Sequence, residues 1–392
     1  MPSERRPLGL GIAGLGRAFM LTLPSILADR RFNLVAAAAP RPESRRAFET
    51  QFGGTTHETV EALCHDPAVE AVYIATPHQM HADHIRAAAK AGKHVLVDKP
   101  LAVSMQDGEA MVAVAAQAGI HLLVGPSHSF DGPVAQALAL IQEGSLGRVR
   151  MLQAFNYTDF LYRPRRPEEL LTSEGGGVIY SQAVHQIDII RLLAGGQARS
   201  VAAACGRWDP QRPTEGAYAA LVGFEGGAFA SMVYSGYAHF DSDEWMDWIG
   251  ELGAPKDPTT YGKARKMLAG VSTPDEEASL KQSRAFGAGD LPPLAPENEH
   301  FGPIIISMDS ADLRLTPRGI WIHADSERRF LPTPKAPSPR SGVLDALWDA
   351  VRDNRPPVQT GAWGLANLEL CHAILTSADT GQTVSLTRQI GI

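Results

Sequence analysis

Between Leu8 and about Gly125, short apolar segments alternate with helix-like ones, and that alternation restricts this part of the chain to one architecture. The strand-like segments are Leu8–Ala13, Asn33–Ala39, Ala71–Ala75, His94–Val97 and His121–Val124, with helical patterns such as His81–Ala91 and Met105–Ala118 between them. Strands this short and this uniformly apolar are buried on both faces. Joined by helical crossovers, they form a parallel, doubly wound α/β sheet. Residues 1–125 are therefore expected to form one doubly wound, Rossmann-type domain.

After Gly147 the texture changes. Arg150–Asn156, Ser200–Ala204, Tyr218–Phe224 and Ala228–Gly236 read as longer strands with few helices between them. Residues 126–392 are expected to form an α+β domain with an open, largely antiparallel sheet that binds substrate and oligomerises. Within it, 248–303 is rich in Gly, Pro and charge without periodicity, as an inserted surface segment would be. Residues 343–355 and 361–378 read as closing helices (343–378 overall). An open sheet with few helices leaves an apolar face to cover, so a homodimer or homotetramer built through that face is expected.

A chain of 392 residues holds two full cores. Its net charge of −7 and the lack of a basic stripe with interleaved aromatics exclude a nucleic-acid partner. The three cysteines, Cys64, Cys205 and Cys371, are too few and too far apart for a disulfide framework or zinc knuckle. They point to a reducing, cytoplasmic setting. The opening MPSERRPLGLGIAG has basic residues before an apolar run, but the run breaks at Gly14 and Gly16, unlike a signal peptide. No segment approaches the length of a membrane span.

The turn after the first strand reads Gly14-Leu15-Gly16-Arg17-Ala18-Phe19. Its glycines let the backbone approach a pyrophosphate at a helix N-terminus, with Arg17 and Ala18 opening that helix. The third glycine of the usual fingerprint is replaced by Phe19. At the end of the second strand, where an acid would hold a ribose 2′-hydroxyl, stands Ala39, followed by Arg41, Arg45 and Arg46. A missing acid beside Arg41 suits a 2′-phosphate, or an adenine stacked on a guanidinium, so NAD and NADP both stay open.

Lys99 ends the strand His94–Val97 on the side where such sheets bind ligands. Downstream, Gly175–Gly177 opens a helix that stops at Gly195, and Ser181, His185 and Asp188 fall on it at i, i+4 and i+7, on one face. A lysine from one domain and a histidine from the other would make an acid/base pair for hydride transfer at a carbinol. No metal is expected: His78, His81 and His84 crowd one helix start, yet no carboxylate or cysteine completes a ligand set.

"ATPHQMHADHIRAAAKAGKHVLVDKPLA" followed by "GGGVIYSQAVHQIDIIRLL" resembles the glucose–fructose oxidoreductase / inositol dehydrogenase / MocA family, over nearly the whole chain. The resemblance implies a Rossmann domain carrying an E-K-P motif and a second α/β domain with D-x-x-x-H-x-x-D on a helix. It also implies catalytic roles for Lys99, His185 and Asp188, and a nicotinamide-side loop at Thr76, Pro77 and His81. Two departures stand out: Asp98 replaces the acid of E-K-P, and Ser181 stands where inositol-type members have an aspartate.

The segment NYTDFLYRPRRPEELLTSEGGG places Arg163, Arg165 and Arg166 beside Tyr157, Phe160 and Tyr162. Guanidinium forks match carboxylates and aromatic walls suit a flat ring. Pairing of these arginines with Glu168 and Glu169 in a solvated loop is the competing reading. With "GPSHSFDGP" and "YSGYAHFDSDEW", which carry His128 and His239 as candidate substrate-wall residues, the loop resembles the branch of 4,5-dihydroxyphthalate-type cis-dihydrodiol dehydrogenases. That resemblance implies oxidation of a carboxylated cyclic diol to the catechol with NAD(P)+. A sugar or cyclitol dehydrogenase is the rival enzyme, and a non-catalytic NAD(P)-binding sensor the rival of another class.

Overall fold

The computed structural model describes residues 5–260, 262–288 and 291–392. Met1–Glu4 of the basic N-terminal stretch and Tyr261, Gly289 and Asp290 of the expected insertion lie outside the described residues. The chain divides into two compact units: Met1–Pro126 with Ser279–Leu294 and Arg340–Leu365, and Ser127–Ala278 with Ala295–Pro339 and Ala366–Ile392. No helix among the described residues is long and apolar enough to cross a membrane.

In the first unit β1 (Leu8–Ala13), α1 (Arg17–Ala28), β2 (Phe32–Ala38), α2 (Pro42–Phe52), β3 (Thr55–His57), α3 (Val60–Cys64) and β4 (Ala71–Ile74) follow in turn. After them come α4 (His81–Lys90), β5 (His94–Val97), α5 (Met105–Ala118) and β6 (Leu122–Val124). The six strands are all parallel in the order β3-β2-β1-β4-β5-β6. Every residue of β1 and β4 is buried, which is why their sequences show no alternation. Strand order reverses between β1 and β4, and the carboxyl ends there make the crevice where such sheets take ligands. Ser104 caps α5 by accepting the Asp107 N–H at 3.1 Å.

In the second unit α6 (Gly132–Glu143) precedes β7 (Val149–Tyr157), then α7 (Val184–Leu193), β8 (Ala198–Gly206), β9 (Ala217–Phe224) and β10 (Phe229–Ser235). After α8 (Lys263–Leu268) and α9 (Pro274–Gln282) come β11 (Ile304–Met308), β12 (Ala311–Thr316), β13 (Gly319–Ala324) and β14 (Arg328–Pro332). α10 (Ser341–Asp353), α11 (Gly361–Thr380) and β15 (Val384–Ser385) close the chain. The nine-stranded sheet runs β14-β13-β12-β11-β7-β10-β9-β8-β15, antiparallel except for β7 against β10. Alternation sorts its faces: Ala154, Asn156, Met232, Tyr234 and Tyr218 are buried on the side of α7, where the Tyr218 and Tyr234 hydroxyls donate to Gln186 (2.5 Å) and Gln182 (3.1 Å). On the other face Leu221 and Phe229 are exposed.

The segment 248–303, read from composition as a surface excursion, is more than that. It carries α8 and α9, and its 279–294 part belongs to the first unit, where Phe286 is buried against Phe19 (5.5 Å between ring centres) and Phe52 (5.7 Å). Residues 340–365 return to the same unit: Trp348 packs on Phe32, and Arg352 grips Glu70 at 2.9 and 3.1 Å. The first unit is thus built from three stretches of chain rather than from 1–125 alone.

Candidate active site

In the first unit the turn between β1 and α1 has the form a pyrophosphate needs. Gly14 has φ +96°, and a Cβ there would lie 2.9 Å from the Ala75 carbonyl oxygen and the Thr76 methyl. A Cβ at Gly16, the residue capping α1, would meet nothing nearer than 4.0 Å, so its backbone lies open to a ligand at the helix N-terminus. Arg17 is exposed and Ala18 partly so, while Phe19, where a third glycine was expected, is a core residue.

Ala39 is buried directly after β2. Arg41 caps α2, 4.0 Å from Glu43, and donates to the Gln282 side-chain oxygen. Arg45 turns back on the strand end instead, donating to the Ala39 and Pro40 carbonyls at 2.8 and 3.0 Å and to Glu58 at 2.9 Å. Arg45 is thus held at the strand end, whereas Arg41 is held by Gln282.

His81 is fully buried and ties two loops together: Nδ1 lies 3.0 Å from the Pro100 carbonyl and Nε2 3.1 Å from the Thr76 carbonyl. Burial pulls this imidazole below its ordinary pKa, against Asp98 and the Thr76 and Pro100 carbonyls, which favour its charge. His84 Nδ1 meets the Thr76 hydroxyl at 2.9 Å, so these histidines hold the backbone and do not converge as a ligand set. Asp98 accepts the Lys99 backbone N–H at 2.9 Å, and burial pushes its carboxyl above the usual range against the opposing Lys99 ammonium. Lys99 is partly exposed at the mouth of β5.

In the second unit the glycine run leads into a π-helical turn, Ile179–Ala183, and only then into α7. A Cβ on Gly177 (φ +79°) would fall 2.1 Å from a Glu215 oxygen, and Glu215 accepts the Ile179 N–H at 3.1 Å. A π turn advances less per residue than an α turn, so Ser181 does not sit squarely above His185. His185 Nδ1 lies 3.4 Å from Ser127 Oγ, and its ring packs on His128 (4.8 Å) and Phe301 (4.9 Å). Asp188 is buried and accepts from Asn367 Nδ2 at 3.0 Å. The π turn offsets Ser181 from His185, whereas Asp188, three residues after His185, stays on the same α-helix.

Around His185 the structure assembles polar residues from distant stretches. His128 Nδ1 contacts Asp131 at 2.7 Å; burial disfavours its charge, but Asp131, with Glu299 and Glu251, holds its pKa above the ordinary value. The ligand atoms of His128, Asp131 and Glu299 lie within 4.8 Å of one another, a spacing that a cation would suit. Glu251 accepts from Asn156 at 2.9 Å and lies 3.5 Å from Arg163. His300 donates from Nε2 to the Ile249 carbonyl (2.8 Å) and accepts the Gly302 N–H at Nδ1 (3.0 Å), which sets Phe301 between the two histidines.

The three loop arginines have unlike surroundings. Arg163 pairs with Asp159 (3.1 Å) and Glu251, and Arg166 with Glu168 (3.0 Å) and Glu169 (3.6 Å). Arg165 lies 3.6 Å over the Phe160 ring. Tyr157 and His239, expected in the substrate wall with His128, instead line an open cavity of about 440 Å³ with Tyr162, Trp208, Tyr237 and Phe240. Tyr157 alternates with Asn156, so this cavity opens on the sheet face away from α7. The expected substrate wall is therefore split between two faces of the sheet. Phe301, His300, Glu251 and Asn156 were missed, and no spacing rule could have joined them to His185.

Comparison with known proteins bears on both units. Residues 8–126 match the family described as "Oxidoreductase family, NAD-binding Rossmann fold", and residues 134–254 match the Gfo/Idh/MocA C-terminal domain. The chain is 47% identical over 371 residues, 93% of this chain and 94% of the other, to 1-carboxy-3-chloro-3,4-dihydroxycyclohexa-1,5-diene dehydrogenase of Comamonas testosteroni. A crystal structure from Bordetella bronchiseptica RB50 is 41% identical and superposes with a TM-score of 0.91 over 97% of this chain and 100% of that one. A Bordetella pertussis dehydrogenase bound to NADH and UDP-GlcNAcA shares the fold at 20% identity (TM-score 0.70, 98% of this chain and 99% of that one).

Proposed function

Because this chain belongs to the Gfo/Idh/MocA family of NAD(P)-dependent oxidoreductases, we propose that it oxidises a ring hydroxyl of a carboxylated cis-dihydrodiol, giving the catechol. The observation that carries this reading is full-length 47% identity to a dehydrogenase whose own substrate is a carboxylated, dihydroxylated cyclohexadiene. Aromatisation drives such a step downhill, so the protein need supply mainly orientation and a base.

The Gly14–Gly16 turn fits a dinucleotide, which when bound supplies the hydride acceptor. His185 takes the hydroxyl proton on its imidazole, steadied by Ser127 and walled by Phe301. For Lys99, partly exposed after β5, the family resemblance implies a catalytic role, and its ammonium suits the negative charge that builds on a reacting oxygen. Asp188, held by Asn367, fixes the helix that carries the base. The exposed Leu221, Phe229 and Trp245 on the open sheet face support a second copy of this chain as its cover. Light scattering is expected to report a dimer or tetramer, and a monomer at micromolar concentration would refute that part.

The test is absorbance at 340 nm on mixing the enzyme with NAD+ or NADP+ and a cis-dihydrodiol carboxylate, next to sugars and cyclitols. Faster turnover of the diol carboxylate is expected. Preference for a sugar or cyclitol would reverse the substrate reading, and no reduction with any donor would favour a sensor.

A further inference from the structure

We infer that Arg165 is the group that receives the substrate's carboxylate. This deepens the substrate reading above and rests on it. The three arginines of the loop are indistinguishable by type and spacing, but their surroundings assign them different work. Arg163 already answers Asp159 at 3.1 Å and Glu251 at 3.5 Å. Arg166 answers Glu168 at 3.0 Å, and Glu169 accepts its backbone N–H at 2.8 Å. Neither can turn to a ligand without exposing a carboxylate to it.

Arg165 has no carboxylate at ion-pair distance among the described residues. Its Nη2 donates to the Phe160 carbonyl at 2.8 Å, and its Nε is shut off from solvent with no acceptor. Glu277, nearby, spends its Oε1 on the Arg165 backbone N–H (2.7 Å) and on Arg212 (2.8 Å). Burial, with the like charges of Arg163 and Arg212, pulls the guanidinium down to about 10 despite Glu169. A cation withdrawn from water without a partner is unfavourable in the free protein, and an arriving carboxylate offsets that penalty. The residue keeps a partly exposed edge by which a ligand can reach it.

Aromatic contacts link its surroundings to those of His185. The Phe160 ring beneath Arg165 contacts Tyr234 edge-on at 6.4 Å. Tyr234 stacks on Phe301 at 6.1 Å, and Phe301 stands 4.9 Å from His185. Arg165 and the proposed base thus stand at opposite ends of one aromatic row.

The experiment measures binding of 3,4-dihydroxybenzoate and of catechol, the charged and uncharged products, to enzyme saturated with reduced cofactor. Wild type is expected to prefer the carboxylate. Arg165→Met is expected to bring the ratio of the two affinities close to one, through a roughly ten- to hundredfold loss for 3,4-dihydroxybenzoate. Arg165→Lys, which keeps the charge without the fork, is expected to lie between. If Arg165→Met does not fold, Arg165→Gln carries the same test. Equal wild-type affinities, or a ratio that survives at Arg165 and collapses in Arg163→Met, would overturn the inference. Binding of neither compound would instead overturn the substrate reading, and this subsite with it.

Discussion

His300 offers a quantitative test of how the site is held together. It is buried, and its two nitrogens have fixed roles: Nε2–H donates to the Ile249 carbonyl, and Nδ1 accepts the Gly302 N–H. That network assigns a single neutral tautomer. A second ring proton would point at the Gly302 N–H and charge a dry interior. Burial accordingly pushes the imidazole down to about 4, although Glu251 and the Ile249 carbonyl favour its charge and His128 and Lys256 oppose it. In the unfolded chain the same ring titrates near 6.5. The folded value is the lower one, so the unfolded state binds more protons in between. The stability contribution is therefore present above about pH 6.5 and lost as pH falls towards 4. From these two values the loss is about 2 kcal/mol by pH 5 and about 3 kcal/mol below pH 4. Asp243, 3.8 Å away and pushed up to about 7 by burial, titrates in the same range, so the measurement has to be a difference. We expect urea unfolding, followed by tryptophan fluorescence at pH 8, 6 and 5, to show wild type losing about 2 kcal/mol that His300→Gln does not lose. The glutamine amide keeps one donor and one acceptor without a titrating group. Parallel losses in the two proteins would refute the reasoning.

Three other outcomes are expected. His185→Asn should lower kcat by roughly 10²–10⁴-fold in stopped-flow hydride transfer, the range of a lost acid/base, and a change of only a few-fold at every pH would make His185 structural. Lys99→Ala should abolish turnover while reduced-cofactor fluorescence still reports binding, because the Gly14–Gly16 turn is untouched. Ala39→Asp should tilt the kcat/KM ratio towards NAD, since a carboxylate beside Arg41 repels a 2′-phosphate; a wild type already favouring NAD by orders of magnitude would contradict it.

The first sheet was legible because burial on both faces leaves a plain mark: uniformly apolar β1 and β4, separated by helical stretches. The returns of 279–294 and 340–365 to that unit were not legible. Phe286 on Phe19 and Phe52 gives 279–294 no period to detect, and the periodic buried face of α10 (Val343, Leu344, Leu347, Ala350) marks a helix without marking which unit it joins. The π turn at Ile179–Ala183 escaped for a related reason. A local change of helical pitch alters which residues share a face without altering composition, so counting i and i+4 set Ser181 over His185 across a π turn.

The arginine loop shows where sequence reasoning loses its grip on function. Composition revealed three cations beside aromatics, and the two readings, a carboxylate clamp or pairing with Glu168 and Glu169, looked like alternatives. In the structure the pairing reading holds for Arg166, and the clamp reading is what we infer for Arg165. Arg166 does pair with Glu168 and Glu169, and Arg163 takes Glu251, a carboxylate from the stretch whose lack of periodicity had suggested a mere excursion. Subtracting those pairs leaves Arg165 as the uncompensated charge. The information that separates the three is thus the position of anions 2 to 88 residues away, the farthest of which only the fold brings close. A buried charge lacking its counter-ion is a better indicator of an anion subsite than any clustering of cations, because clustering is compatible with neutralisation and an unanswered charge is not.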